Sequence, residues 1–215
     1  MTKKTFWENP YQTEIETRIV SIIGPQVTLE ETIFFPFSGG QESDTGTIGG
    51  YQVIEARKLD MEIEYSLPEN HKLKSNERVT VQIDWKRRYK LMRLHFAAEL
   101  VLELIYKKLN GVEKIGAHIS EDKARIDFNW PTSISPVLPE INSEAESIIQ
   151  NNLKIISGFS DEQNEKRYWE VEGFAKVPCG GTHLKKTVEV GEIRLKRKNI
   201  GKGKERVEIY LQDQS

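Results

Sequence analysis

Cys179 is the only cysteine of the chain, and a histidine follows it four residues later in Cys179-Gly180-Gly181-Thr182-His183. A lone thiol cannot close an internal disulfide. It is either a small buried apolar residue or a thiolate with chemistry to do. The two glycines allow a tight turn that would aim sulfur and imidazole at one point. Far upstream, His95-Phe96-Ala97-Ala98-Glu99 sets a histidine and a carboxylate at i and i+4. On a helix that spacing puts both side chains on one face. Taken singly, each has a plainer explanation as a satisfied core or surface residue. Together they offer a thiolate, two imidazoles and a carboxylate, a donor set suited to one Zn2+ per chain.

The elements that must position these groups follow from periodicity. Residues 12 to 84 read as short strands (27–35, 48–57, 61–65 and 77–83) separated by Gly, Pro and Asn, as in a small β-barrel or sandwich. Within them, Phe35-Pro36-Phe37-Ser38-Gly39-Gly40-Gln41-Glu42-Ser43-Asp44-Thr45-Gly46 is a loop with special backbone angles. It lacks the Gly-Lys-Ser/Thr ending of a phosphate-binding loop. From Trp85 the period changes. Leu91, Leu94, Ala98, Val101, Leu102, Ile105 and Leu109 mark a helix that Asn110-Gly111 stops. Strands are expected at 114–120 and 124–129, a second helix near 140–154, and strands at 168–174, 187–198 and 205–211, the last two joined by a turn at 199–203. The expected fold class is α+β: an N-terminal small β-barrel, residues 1–84, followed by an α+β domain, residues 85–215, with helices packed on an antiparallel sheet.

Composition bounds the setting. Hydrophobic residues make up 37% of the chain and charged residues 30%, enough for a core under a well-solvated surface. The apolar runs are too short to span a bilayer and the N-terminus lacks a signal-peptide stretch, so we expect no membrane partner, a cytoplasmic location and a reduced Cys179. The 31 Lys and Arg against 33 Asp and Glu leave a formal charge of -2, which does not announce a nucleic-acid binder. The basic residues are nevertheless segregated. Lys86, Arg87, Arg88, Lys90 and Arg93 cluster before His95, and Arg194, Lys196, Arg197, Lys198, Lys202, Lys204 and Arg206 form a second group. Two enzyme classes are disfavoured: there is no His-Glu-x-x-His protease motif, and Pro178-Cys179 lacks the second cysteine of zinc deaminases.

Four stretches together resemble the AlaX-type alanyl-tRNA editing proteins, free-standing relatives of the editing domain of alanyl-tRNA synthetase. They are the loop Phe35–Gly46, the helix around Met92-Arg93-Leu94-His95, the segment Gly116–Phe128, and Cys179–Leu184 with the hairpin that follows. The resemblance covers nearly the whole chain. It implies a zinc site formed by His95, Cys179 and His183, with Glu99 standing where a second helical histidine is usual. A carboxylate can complete a tetrahedral zinc site. It would lower the site's charge and make the metal a weaker Lewis acid. Glu99 acting through a water, or a lost metal with Glu99 hydrogen-bonded to His95, are the other two readings.

The implied activity is hydrolysis of the ester on mischarged tRNA(Ala), seryl first and glycyl second, with the tRNA acceptor end as the partner and no other protein implied. Glu99 and His118 are the candidates for proton transfer, and His118 is equally readable as a structural histidine. An apolar pocket hardly rejects an added hydroxyl, so a polar contact must recognise serine. Ser38, Gly39, Gly40, Gln41 and Thr182 are the candidate substrate contacts. Arg87, Arg88, Lys90, Lys202 and Lys204 are the candidate tRNA contacts, acting on phosphates. The alternatives are a deacylase for another aminoacyl ester and a non-catalytic tRNA-binding module with a degenerate metal site.

Overall fold

The computed structural model describes residues 1–212 and shows a mixed α+β chain with mostly antiparallel sheets. It divides into two compact units, Met1–Lys90 and Leu91–Ser215, so the division falls inside the long helix rather than at residues 84 and 85.

The first unit holds a seven-stranded sheet in the order Tyr51–Gln52, Gly46–Ile48, Arg78–Ile83, Glu14–Ile23, Gln26–Leu29, Glu62–Ser66, Glu55–Leu59. Its central strand, Glu14–Ile23, was not singled out by the sequence. That strand changes partner midway: residues 14–18 pair with Arg78–Ile83 and residues 19–23 with Gln26–Leu29, with a register slip between Ile19 and Ser21. The slip breaks the simple alternation of apolar residues, which is why the strand is hard to read. The described pairings make a half-barrel. Its two outer strands, Tyr51–Gln52 and Glu55–Leu59, share no ladder among the described residues. Phe6, Ile19, Val27, Phe34, Ile48 and Tyr65 belong to its apolar core.

The loop at Phe35–Gly46 is a hairpin braced at its base. Ser38 and Gln41 exchange backbone hydrogen bonds of 3.2 and 3.0 Å around Gly39 and Gly40, whose φ angles are +61° and +87°. Two successive positive φ values are what a tight mirror-type turn demands, and glycine meets them without strain. Gly46 serves a close approach instead: a Cβ there would lie 2.0 Å from the Gln82 carbonyl oxygen. Asp44 is almost fully buried and accepts from the Phe35 amide at 2.7 Å and from Arg88 Nε at 2.7 Å, with a second Arg88 contact through Nη2. Arg88 also donates to the carbonyls of Pro10 at 3.0 Å and Ile33 at 2.6 Å.

The helix Trp85–Lys108 begins where Asp84 Oδ1 accepts the Arg87 amide at 3.1 Å, a side-chain N-cap that the sequence reading overlooked. It ends before Gly111, at φ +80°. The expected apolar stripe is there, but Met92, Phe96, Ala97, Leu100 and Leu104 are buried as well. The helix is therefore covered on more than one side.

The second unit contains a four-stranded antiparallel sheet in the order Glu113–Ile119, Ala124–Asn129, Lys204–Leu211, Ile193–Gly201. A three-stranded sheet runs Ile156–Asp161, Lys166–Val171, Ala175–Pro178. The helix Leu138–Gln150 buries Leu138, Ile141, Ala145 and Ile149 and lies beside Ile193–Gly201. Two expectations change here. Thr187–Val190, a β-branched run read as the start of a strand, is a 3-10 turn, because the Glu189 carboxylate accepts the amides of Lys185 and Lys186 at 3.0 and 2.9 Å. Ile156–Asp161, unassigned from sequence, is an edge strand. No helix among the described residues is long and apolar enough to cross a membrane.

Candidate metal centre

Backbone anchors bring the two ligand pairs together. Cys179 follows directly on the strand Ala175–Pro178, and its amide donates to the Arg167 carbonyl at 2.9 Å. Neither Gly180 nor Gly181 takes a positive φ, so left-handed backbone is not what these glycines supply. The Gly181 amide instead points at Cys179 Sγ, 3.4 Å away. Downstream, Thr187 Oγ1 accepts the Leu153 amide at 2.9 Å and donates to the Ile148 carbonyl at 2.8 Å. From the helix, Arg93 Nε donates to the Val190 carbonyl at 2.9 Å, tying the helix to the segment that follows His183.

The result is a compact cluster. The ligand atoms of His95, Glu99, Cys179 and His183 all lie within 4.8 Å of one another. Cys179 Sγ is 3.2 Å from His95 Nε2 and 3.3 Å from His183 Nε2. Glu99 Oε2 is 3.2 Å from His95 Nε2 and 3.4 Å from His183 Nε2. A tetrahedron with ordinary zinc–ligand lengths has N–O edges of about 3.3 Å and N–S edges of about 3.5 Å. The four histidine-to-sulfur and histidine-to-carboxylate separations are therefore close to those a zinc ion requires, and both imidazoles turn the same nitrogen inward.

Electrostatics agree with the donor set. Burial works against the charged form of both histidines, yet Glu99 and Cys179 outweigh it and raise His95 well above its ordinary value, and His183 in the same direction. Burial likewise favours a neutral Glu99, but the His95 charge and the hydrogen bonds of both imidazoles hold its carboxyl far below the usual range. For Cys179, burial and the Glu99 charge push the thiol up, while His95 and His183 prevail and lower it. Two anionic donors facing two imidazoles are ready to exchange protons for a divalent cation without leaving net charge in the interior.

The two imidazoles are supported differently. His183 Nδ1 lies 3.1 Å from Ser157 Oγ, on the edge strand Ile156–Asp161. His95 Nδ1 is buried with no hydrogen-bond partner among the described residues. Outer hydrogen bonds of this kind fix the ring and the tautomer of a metal-binding histidine. We expect Ser157→Ala to weaken zinc binding by about ten-fold or more, with unchanged secondary structure, as read by competition with a chromophoric chelator. Unchanged affinity would remove Ser157 from the site. No local signal marks Ser157 in the sequence, and the same holds for Arg167, buried against the thiolate side of the cluster.

A family model for the "Threonyl and Alanyl tRNA synthetase second additional domain" matches residues 168–208, which include Cys179 and His183. The chain is 33% identical over 216 residues to the alanyl-tRNA editing protein AlaX-M of Pyrococcus horikoshii, covering 99% of both chains. It is 34% identical to the AlaX-M protein of Saccharolobus solfataricus, covering 96% of this chain and 98% of that one. The chain belongs to the AlaX-M family. A weaker share links this AlaX-M member to the alanine–tRNA ligase of Methanococcus aeolicus, at 31% identity over 96% of this chain and 25% of the ligase.

Within this AlaX-M chain, the other expected site residues lie as follows. His118, on Glu113–Ile119 opposite Arg125, is not one of the four clustered side chains. Thr182 is next to His183 and buried. Ser38, Gly39, Gly40 and Gln41 form the hairpin turn of the first unit, and Gln41 is fully buried there. Arg88 needs correction as a tRNA contact: it is 0% exposed, because its guanidinium neutralises Asp44 inside the first unit. Arg87 is largely buried and pairs with Glu42 at 2.6 Å. Lys90 is half-buried, whereas Lys202 and Lys204 are exposed at the tip of the closing hairpin.

Proposed function

We propose that this chain hydrolyses the aminoacyl ester of mischarged tRNA(Ala), with the seryl form as the first substrate and the glycyl form as the second. The observation that carries this reading is the convergence of His95, Glu99, Cys179 and His183 in a chain that matches alanyl-tRNA editing proteins over its full length. A zinc ion held by these four residues would supply Lewis acidity towards an ester carbonyl and an anchor for the substrate's end.

The chain's own groups do the rest. With a zinc ion bound, His95 and His183 would give up their protons and offer Nε2, and Cys179 would offer a thiolate that the Gly181 amide steadies. Glu99 closes the donor set with Oε2, and its second oxygen would take a proton from the attacking water and pass it to the leaving ribose oxygen. Glu99 is preferred over His118 for this role because its carboxylate already stands inside the cluster. Thr182, adjacent to a ligand, is our candidate for recognising the serine hydroxyl. Lys202 and Lys204, exposed at the hairpin tip, would contact phosphates of the acceptor end. Such a protein works where tRNA is charged, in the cytoplasm.

The test compares Glu99→Gln and Glu99→His with the parent protein, measuring zinc content and single-turnover deacylation of seryl- and glycyl-tRNA(Ala). Glu99→Gln is expected to slow deacylation by about 100-fold. A Gln variant with parental rates would end the role of Glu99. A parent protein that leaves both substrates intact would end the assignment itself.

A further inference from the structure

One face of the four-stranded sheet in the second unit is core: Ile119, Ala124, Ile126, Phe128, Val207, Ile209, Ile193 and Leu195 are all buried or partly buried there. The residues alternating with them form the opposite face. Strand register places His118, Arg125, Glu208 and Lys196 in one row across the sheet, and Gly116, Asp127, Arg206 and Lys198 in the next. Arg194 and Tyr210 start a further row, to which Lys123 adds its ammonium group. Six cations thus share this face with two carboxylates, on a protein whose overall formal charge is -2.

Those two carboxylates are already covered. Asp127 is held by Arg206 Nε at 2.6 Å and by Arg125. Glu208 is held by Lys123 at 2.6 Å and by the Tyr210 hydroxyl at 2.9 Å. Arg194, Lys196 and Lys198 lie on the outer strand, all exposed, and form no ion pair among the described residues. They stand roughly 6.6 Å apart along that strand, all pointing the same way. Arg194 and Lys196 lie 5.4 and 5.3 Å from the Tyr210 ring centroid, which gives them an aromatic floor rather than an acidic one. Acids neutralised beneath unpaired cations make a surface that attracts a polyanion at long range.

We infer that this open sheet face receives the sugar–phosphate backbone of the RNA, with Arg194, Lys196 and Lys198 as the principal contacts. The inference rests on the proposed function for the identity of the polyanion. Phosphate contacts of this kind position a duplex without reading its sequence. It adds Arg194, Lys196 and Lys198 to the phosphate contacts proposed above.

The experiment measures binding of an uncharged acceptor-stem hairpin RNA by fluorescence anisotropy across a salt series. It uses the parent, the triple variant Arg194→Gln/Lys196→Gln/Lys198→Gln, and a control, Lys72→Gln/Lys74→Gln, at exposed lysines of the first unit. The triple variant should bind about ten-fold or more weakly at moderate salt, with a log–log salt slope shallower by about two. The control should bind as the parent does, and zinc content should be the same in all three. Parental binding by the triple variant overturns the inference. An equal loss in the control reduces the effect to net charge and overturns it too. Loss of binding to phosphatidylserine vesicles with RNA binding intact would assign the face to a membrane surface instead. Because the RNA carries no amino acid, a parent that binds it in this pattern yet never deacylates would sink the proposed activity and leave this face standing.

Discussion

Cys179→Ala and His183→Ala proteins are expected to lose bound zinc, from about one ion per chain to below about a tenth, and to deacylate at least about 100-fold more slowly. Each removes one of four donors whose mutual distances are 3.2 to 3.4 Å where paired. Three remaining ligands with an incomplete outer shell hold a structural-strength site poorly. We expect both variants to stay folded. The second unit has its own core, with Trp169, Phe96, Phe128 and Ile209 fully buried. Metal analysis with far-ultraviolet circular dichroism separates the outcomes. A zinc-free, folded and inactive variant supports a working metal. An unfolded one would make the ion a structural brace, and a zinc-loaded, active variant would remove these residues from the site.

The second large effect concerns Arg88. Its guanidinium is fully buried against Asp44, whose side chain is 1% exposed, and it also satisfies the Pro10 and Ile33 carbonyls. Arg88→Met strands a buried carboxylate and two carbonyls. Breaking one side of such a pair costs about 3–5 kcal/mol. The double variant Arg88→Met/Asp44→Asn should recover part of that, since asparagine can still accept the Phe35 amide and leaves no buried charge. Urea denaturation measures both. A single variant within about 1 kcal/mol of the parent would show that the pair is solvated in solution and that Arg88 could after all face a ligand.

Legibility in the sequence followed locality. His95 and Glu99 were readable because four residues on a helix are always neighbours, and the amphipathic stripe announced that helix. The hairpin turn at Gly39-Gly40 was readable because two positive φ angles almost demand glycine. Glu14–Ile23 was obscured because a strand that changes partners midway loses its two-residue rhythm. Thr187–Val190 misled because β-branched residues favour strands only where the pleat is available, and the Glu189 carboxylate captured the backbone first.

The amino-acid sequence by itself determined the donor types, the spacing within each ligand pair and the helix that carries one of them. Those properties depend on bonds and contacts a few residues long. Only the tertiary structure decided that Cys179 meets His95 across 84 positions of chain. It also decided that Ser157 orients His183, that Arg88 turns inward to Asp44, and that Arg194, Lys196 and Lys198 line up on an open sheet. Each of these is set by strand register and core packing, which join distant segments through contacts that no neighbouring residue encodes.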